Sequence, residues 1–138
     1  MGAEAELERW LLISDSGLWL GRAANCWGVG RVGRSVAIVD NDARALLPLL
    51  ERDWAVAQLE VEDLEERAPD LGPLPLTPTV LLALSSKVSR HWTAAALRWL
   101  VDGFPISGLS DEVANLTHDK TVSQSSRHMA AKVLKANS

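Results

Sequence analysis

One cysteine, no tyrosine and a single phenylalanine leave this 138-residue chain short of the residues that often staple or anchor small proteins. Cys26 has no partner within the chain, so no intramolecular disulfide forms and a reducing compartment is expected. No apolar run approaches the roughly 20 residues that a helix needs to span a bilayer. The densest run is Val80 to Leu84. The opening is acidic, with Glu4, Glu6 and Glu8, whereas a secretory signal starts with basic residues. Taken together, these absences predict a soluble, cytoplasmic protein with no membrane partner.

The rest of the composition is that of a folded domain. Apolar residues make up 47% and charged residues 23%, which argues against disorder. Six tryptophans are an unusual share of the aromatics. Each brings a large buried area and one N–H that needs an acceptor, so they are expected at core edges or contact surfaces. The net charge of −4 hides an asymmetry. Residues 1–76 carry seven Arg and 14 acids, whereas residues 77–138 carry seven Lys plus Arg and four acids. Every lysine lies in the second part. Attraction between the two parts is one reading of this, and two differently charged partners is the other.

Residues 4–12 read as a short helix, with Leu7, Trp10 and Leu11 at spacings of three and four. From Leu18 to Gly33 a strand–turn–strand is expected, and Ser35 to Val39 reads as a buried strand stopped by Asp40-Asn41-Asp42. Asp42 is placed to cap a helix through about Asp53, although Pro48 lies inside it. Ala57 to Glu62 alternates with period two and suggests an edge strand. One continuous helix from Pro48 to Arg67 is the rival, so residues 42–67 are either helix and strand or one kinked helix. Pro69, Pro73, Pro75 and Pro78 mark a stiff connector.

Past the connector, start and stop signals are clearer. Thr77-Pro78 supplies a cap and a proline at the first helical position, for a helix to about Lys87. Ser89 caps the next helix, with Trp92, Ala96, Trp99 and Leu100 as its buried stripe and Gly103 as its end. Ser110 begins a third helix with Val113 and Leu116. Thr121 and Gln124 form a capping box for a fourth, whose inner face holds Val122, Ser126, Met129 and Val133.

Few motifs carry chemistry. Gly28-Val29-Gly30-Arg31-Val32-Gly33 has the glycine spacing of a dinucleotide loop, but a strand rather than a helix is expected after it. Turn glycines explain it more simply than phosphate binding through Arg31 and Arg34. Asp40 ends its strand without the Gly-rich, lysine-bearing loop that a nucleotide hydrolase would pair with it. His91, His118 and His128 lack metal-ligand spacing, and the chain has no Gly-x-Ser-x-Gly elbow. No catalytic residue, metal or cofactor follows. The densest charge run includes Glu60, Glu62, Asp63, Glu65, Glu66 and Asp70 and suits a solvated edge or a surface for a basic partner.

Gly108-Leu109-Ser110, Glu112-Val113-Ala114, Leu116 and Thr121-Val122 resemble the helix-turn-helix of LuxR-type regulators. The resemblance implies that the fourth helix of the module lies in the major groove. Ser123, Gln124 and Arg127 would then face bases, while Lys120, Lys132 and Lys135 met phosphates. This chain is about two residues shorter than that motif between Ala114 and Thr121.

The expected architecture is α+β. A small mixed part, residues 1–68 with strands near 35–39 and 54–62, leads through a connector at 69–76 to a four-helix module at 77–138. An all-α protein is the alternative. The expected function is a non-enzymatic binding or regulatory protein, of immunity, antitoxin or adaptor type. It would contact another protein through Glu62, Asp63, Glu65 and Glu66. The alternative is a DNA-binding regulator using Ser123, Gln124, Arg127, Lys132 and Lys135; an enzyme with a site assembled from scattered residues is the third. Strand edges around residues 57–62 offer a route to a homodimer.

Overall fold

Residues 6–85 and 89–137 are described by a computed structural model of the chain. Its first element overturns the helix expected at residues 4–12, of which Glu4 and Ala5 lie outside the described residues. Strand β1 spans Leu7–Ser14 and folds back on β2, Leu18–Ala23. Helical spacing is imitated here by two irregularities in the pairing. Arg9 faces Gly21 while Leu11 faces Leu20, and Leu12 faces Trp19 while Ser14 faces Leu18. Trp10 and Ile13 are therefore extra residues on β1, and each resets which face the next side chain takes. An alternating pattern is erased even though the chain is extended. At Gly21 the strands approach so closely that a Cβ would lie 1.6 Å from the Glu8 carbonyl oxygen.

The strand–turn–strand expected from Leu18 to Gly33 is present. Strand β3, Cys26–Gly30, pairs with β2 through the Ala24-Asn25 turn, where Ala24 has φ 56°. Only Ala37–Ile38, strand β4, remains of the strand expected at 35–39. The sheet is an antiparallel meander in the order β1-β2-β3-β4.

The strand expected near 54–62 is instead helix α1, Trp54–Arg67. Its alternation was incidental. Trp54, Ala57, Val61 and Leu64 are the buried residues, and their spacing is helical. A strand edge at 57–62 is thereby removed as a route to a dimer. The rival reading of a helix ending at Arg67 holds over Trp54–Arg67, but that helix is not continuous from Pro48. Asp42 does cap a helix, accepting from the Arg44 N–H at 3.0 Å, but this is a 3-10 stretch over Ala43–Glu51 that holds Pro48. The chain turns at Arg52 and Asp53 before α1 begins.

Four helices follow the connector, as expected. Helix α2, Leu76–Leu84, starts one residue before Thr77 with Pro75 at its cap, so Pro78 occupies the third helical position. It still falls in the first turn, where a missing N–H leaves no bond unmade. The expected end near Lys87 lies outside the described residues. Ser89 caps helix α3, Arg90–Val101, by accepting from the Trp92 N–H. Gly103, at φ 112°, closes it, with Phe104 N–H donating to the Trp99 carbonyl at 2.9 Å and Gly103 N–H to that of Leu100. Helix α4 is Ser110–Leu116 and α5 is Gln124–Ala136. The capping box expected from Thr121 is not formed, because the Asp119 carboxylate takes both the N–H and the hydroxyl of Thr121. Ser123 caps α5 instead, through the Ser126 N–H.

One hydrophobic cluster runs through both parts, from Ile13 and Leu20 of the sheet to Ala130 and Val133 of α5. Trp54, Trp99 and Phe104 meet in it, with ring centroids 4.9, 4.9 and 5.6 Å apart. The two buried indole N–H groups at the joints are satisfied by backbone. Trp99 Nε1 donates to the Arg52 carbonyl at 2.7 Å, and Trp27 Nε1 to that of Gly72 at 3.1 Å. Of the expected stripe on α3, Ala96, Trp99 and Leu100 are buried; Trp92 is only half-buried. The connector lies against the sheet. Arg22 of β2 meets Asp70 at 2.7 Å, and the Glu65 carboxylate accepts from the Leu74 N–H. Among the described residues no helix is long and apolar enough to cross a membrane.

Candidate functional site

Helix α1 carries the acidic residues singled out in the sequence, and its geometry divides them. The buried residues Trp54, Ala57, Val61 and Leu64 turn one side of the helix to the core. A rotation of about 100° per residue therefore turns Val56, Leu59, Glu62, Asp63 and Glu66 outward. Val56 is 50% and Leu59 68% exposed, and Glu62, Asp63 and Glu66 are exposed beside them. Glu65 points sideways and is committed to the connector backbone through Leu74 N–H, 2.7 Å away. Of the four expected contact residues, three share a free face and the fourth has a structural task.

An apolar groove adjoins that face. Trp10 and Leu11 of β1 form one wall, and Leu59, Glu60, Asp63 and Leu64 of α1 the other, around about 340 Å³. Beside it, the Arg67 guanidinium lies 5.1 Å from the centre of the Trp10 ring and 3.6 Å from the Asp63 carboxylate. Arg52 pairs with Glu60 at 2.7 Å and donates to the carbonyls of Leu12 and Ile13. The groove thus combines apolar residues with the carboxylates of Glu60 and Asp63, and the edge strand of the sheet runs along one side. Sequence reasoning missed Val56 and Leu59 because it placed them on or near a strand. Their exposure follows from the helical period alone once α1 is recognised.

The residues of the helix-turn-helix resemblance lie on and before α5. Ser123, Gln124, Lys132 and Lys135 are exposed. Arg127 is not free to face outward, because it is half-buried and its Nη1 donates to the Val122 carbonyl at 2.9 Å. The same nitrogen lies 3.5 Å from the Asp119 carbonyl. This arginine holds the turn between α4 and α5 closed.

The remaining candidates do not converge. His91 is 3.8 Å from Glu51, His118 follows α4, and His128 is exposed on α5. Cys26 Sγ donates to the Ala23 carbonyl at 3.0 Å. Among the described residues no group of three His, Cys, Asp or Glu side chains is arranged to hold a metal. Gly28 and Gly30 belong to β3, and a turn and short strand follow them in place of a phosphate-binding helix. Comparison with protein-family models, curated proteins and solved structures finds no match, so any functional reading rests on this geometry.

Proposed function

We propose that this protein is a non-enzymatic binding or regulatory protein that acts by contacting another protein, using the outer face of α1 and the groove beside β1. The observation that carries the reading is Leu59, 68% exposed between the groove and the carboxylates of Glu62, Asp63 and Glu66. An isolated exposed leucine needs no explanation. Here Leu59 and Val56 form a stripe on a helix whose other side is fully occupied by core packing. A helix face of apolar residues flanked by like charges suits a partner segment with apolar anchors among basic residues. Charge then steers the encounter, and the anchor at Leu59 sets the lifetime of the complex.

The DNA-binding alternative has less support. It depends on α5 presenting Arg127, and one nitrogen of that guanidinium is bonded to the turn. Affinity capture with the tagged full-length chain tests the favoured reading. A stoichiometric protein should be retained at low salt, released by Leu59→Asp and weakened by charge reversal at Glu62 and Glu66. All three positions are exposed, so the variants should keep the melting temperature of the parent. A partner retained equally by the parent and by Leu59→Asp would refute this face as the contact.

A further inference from the structure

Positive charge collects in the loop between β3 and β4, inside the part of the chain that is otherwise acidic. Residues 1–76 hold seven Arg against 14 acids. Yet a cavity of about 650 Å³ beside this loop is lined by Arg31, Arg34 and Arg44, with neither Asp nor Glu among its lining residues. None of the three arginines takes part in an ion pair among the described residues. The arrangement has local causes. Arg34 N–H donates to the Arg31 carbonyl at 3.1 Å, closing a tight turn that keeps the two Cα atoms within about 7 Å. Arg31 is braced from the opposite hairpin, with Nη2 2.7 Å from Ser16 Oγ and Nε 3.4 Å from the Ser16 carbonyl. Arg44 stands in the first turn of the 3-10 stretch, whose Asp42 cap is engaged with the Arg44 backbone N–H.

Three guanidinium groups around one concavity repel one another, and no carboxylate lining it offsets that cost. Guanidinium is also the group whose planar fork matches phosphate oxygens two at a time. The remaining wall is apolar, with Leu18, Val29 and Pro48 along it. A bare inorganic anion would leave that wall in water. The volume lies within the range of about 300–1,000 Å³ usual for small-molecule sites. We infer that the cavity bounded by Arg31, Arg34 and Arg44 is a binding site for a small organic molecule carrying more than one phosphate, of nucleotide size. In this arrangement the Arg34 and Arg44 guanidiniums hold the phosphates, Arg31 adds positive charge from its place against Ser16, and the Leu18–Val29–Pro48 wall takes the organic body.

The test uses the full chain with ATP, inorganic tripolyphosphate and sodium chloride of matched ionic strength, read by thermal shift and by calorimetric titration. ATP should raise the melting temperature by stabilising the folded state alone, and should bind more tightly than tripolyphosphate. The Arg34→Gln, Arg44→Gln double variant should keep the parent's own melting temperature, because both side chains are exposed, and should bind ATP at least about tenfold more weakly. An ATP shift equal to that of matched sodium chloride, or unchanged in the double variant, overturns the inference. Equal affinity for ATP and tripolyphosphate overturns the apolar wall's part in it. Binding of an oligonucleotide without any response to ATP overturns it in favour of a nucleic-acid surface.

Discussion

The sheet with α1 and the helical module from α2 to α5 share a core but use their side chains differently. In the helical module several polar groups turn inward onto backbone. Thr93 donates to the Ala83 carbonyl, Thr79 to that of Ala43, Arg127 to that of Val122, and Ser123 caps α5. In the other region several groups are left unspent. Leu59 and Val56 face solvent on α1, and Arg34 and Arg44 stand exposed around a cavity. Side chains committed to backbone acceptors hold the fold and have little left for a ligand. On the proposed reading, the helical module would serve as the scaffold and the N-terminal region as the working surface.

The largest expected effect breaks the scaffold at the point where the two regions join. Trp99 is 1% exposed, lies against Trp54 and Phe104, and donates to the Arg52 carbonyl. Trp99→Ala leaves a cavity and an orphaned carbonyl, which together should lower stability by about 4 kcal/mol or more. Native domains of this size hold only about 5–15 kcal/mol, so the variant should be marginally folded at room temperature. Urea unfolding followed by circular dichroism measures this. A loss under about 1 kcal/mol would show that the joint does not depend on Trp99.

A smaller and more local effect is expected in the sheet. Gly21→Ala brings a Cβ against the Glu8 carbonyl, so β1 and β2 have to separate there. The loss should be about 1–3 kcal/mol, as for other overpacked sites. Hydrogen exchange should speed up for the amides of β1 and β2 while α3 and α5 stay protected. Uniform loss of protection would mean that the two regions open as one unit.

The same contrast explains what could be read from the sequence. Ser89, Gly103 and the Val122–Ser126–Val133 face are local signals, because a helix satisfies its backbone within a few residues. These were legible to within a residue or two. The miss at the start of α5 came from Asp119, whose carboxylate engaged Thr121 first. β1 has the spacing of a helix in the sequence because its bulges at Trp10 and Ile13 are properties of the pairing with β2, which no single segment encodes. α1 was read as a strand because Ala57 to Glu62 fits both periods, and only the burial of Trp54 and Leu64 decides between them. The candidate surface was half legible for that reason. Its carboxylates were visible as a charge run, whereas Val56 and Leu59 became part of it only through the helical period. The arginine cavity joins a loop to a later helix across the fold, so Arg31 and Arg34 stand together in the sequence and Arg44 does not.

The smallest expected effect concerns the tie between the sheet and the connector. Hydrogen bonding to Arg22 lowers the pKa of Asp70 below its ordinary value. The unfolded chain therefore takes up this proton at a higher pH than the folded one does. The pair's contribution is complete above the ordinary carboxylate range. It fades as the pH falls below about 4 and is gone once the folded carboxyl is protonated. Asp70 is well exposed, so the contribution should be small and should shrink further in about 0.5 M salt. Asp70→Asn should flatten the acid limb of the stability profile below about pH 4 and leave neutral stability almost unchanged. An acid limb as steep as the parent's would assign the acid sensitivity to other carboxylates. The connector would then be held on the sheet chiefly by the hydrogen bond from Trp27 to the Gly72 carbonyl, and on α1 by that from Leu74 to Glu65.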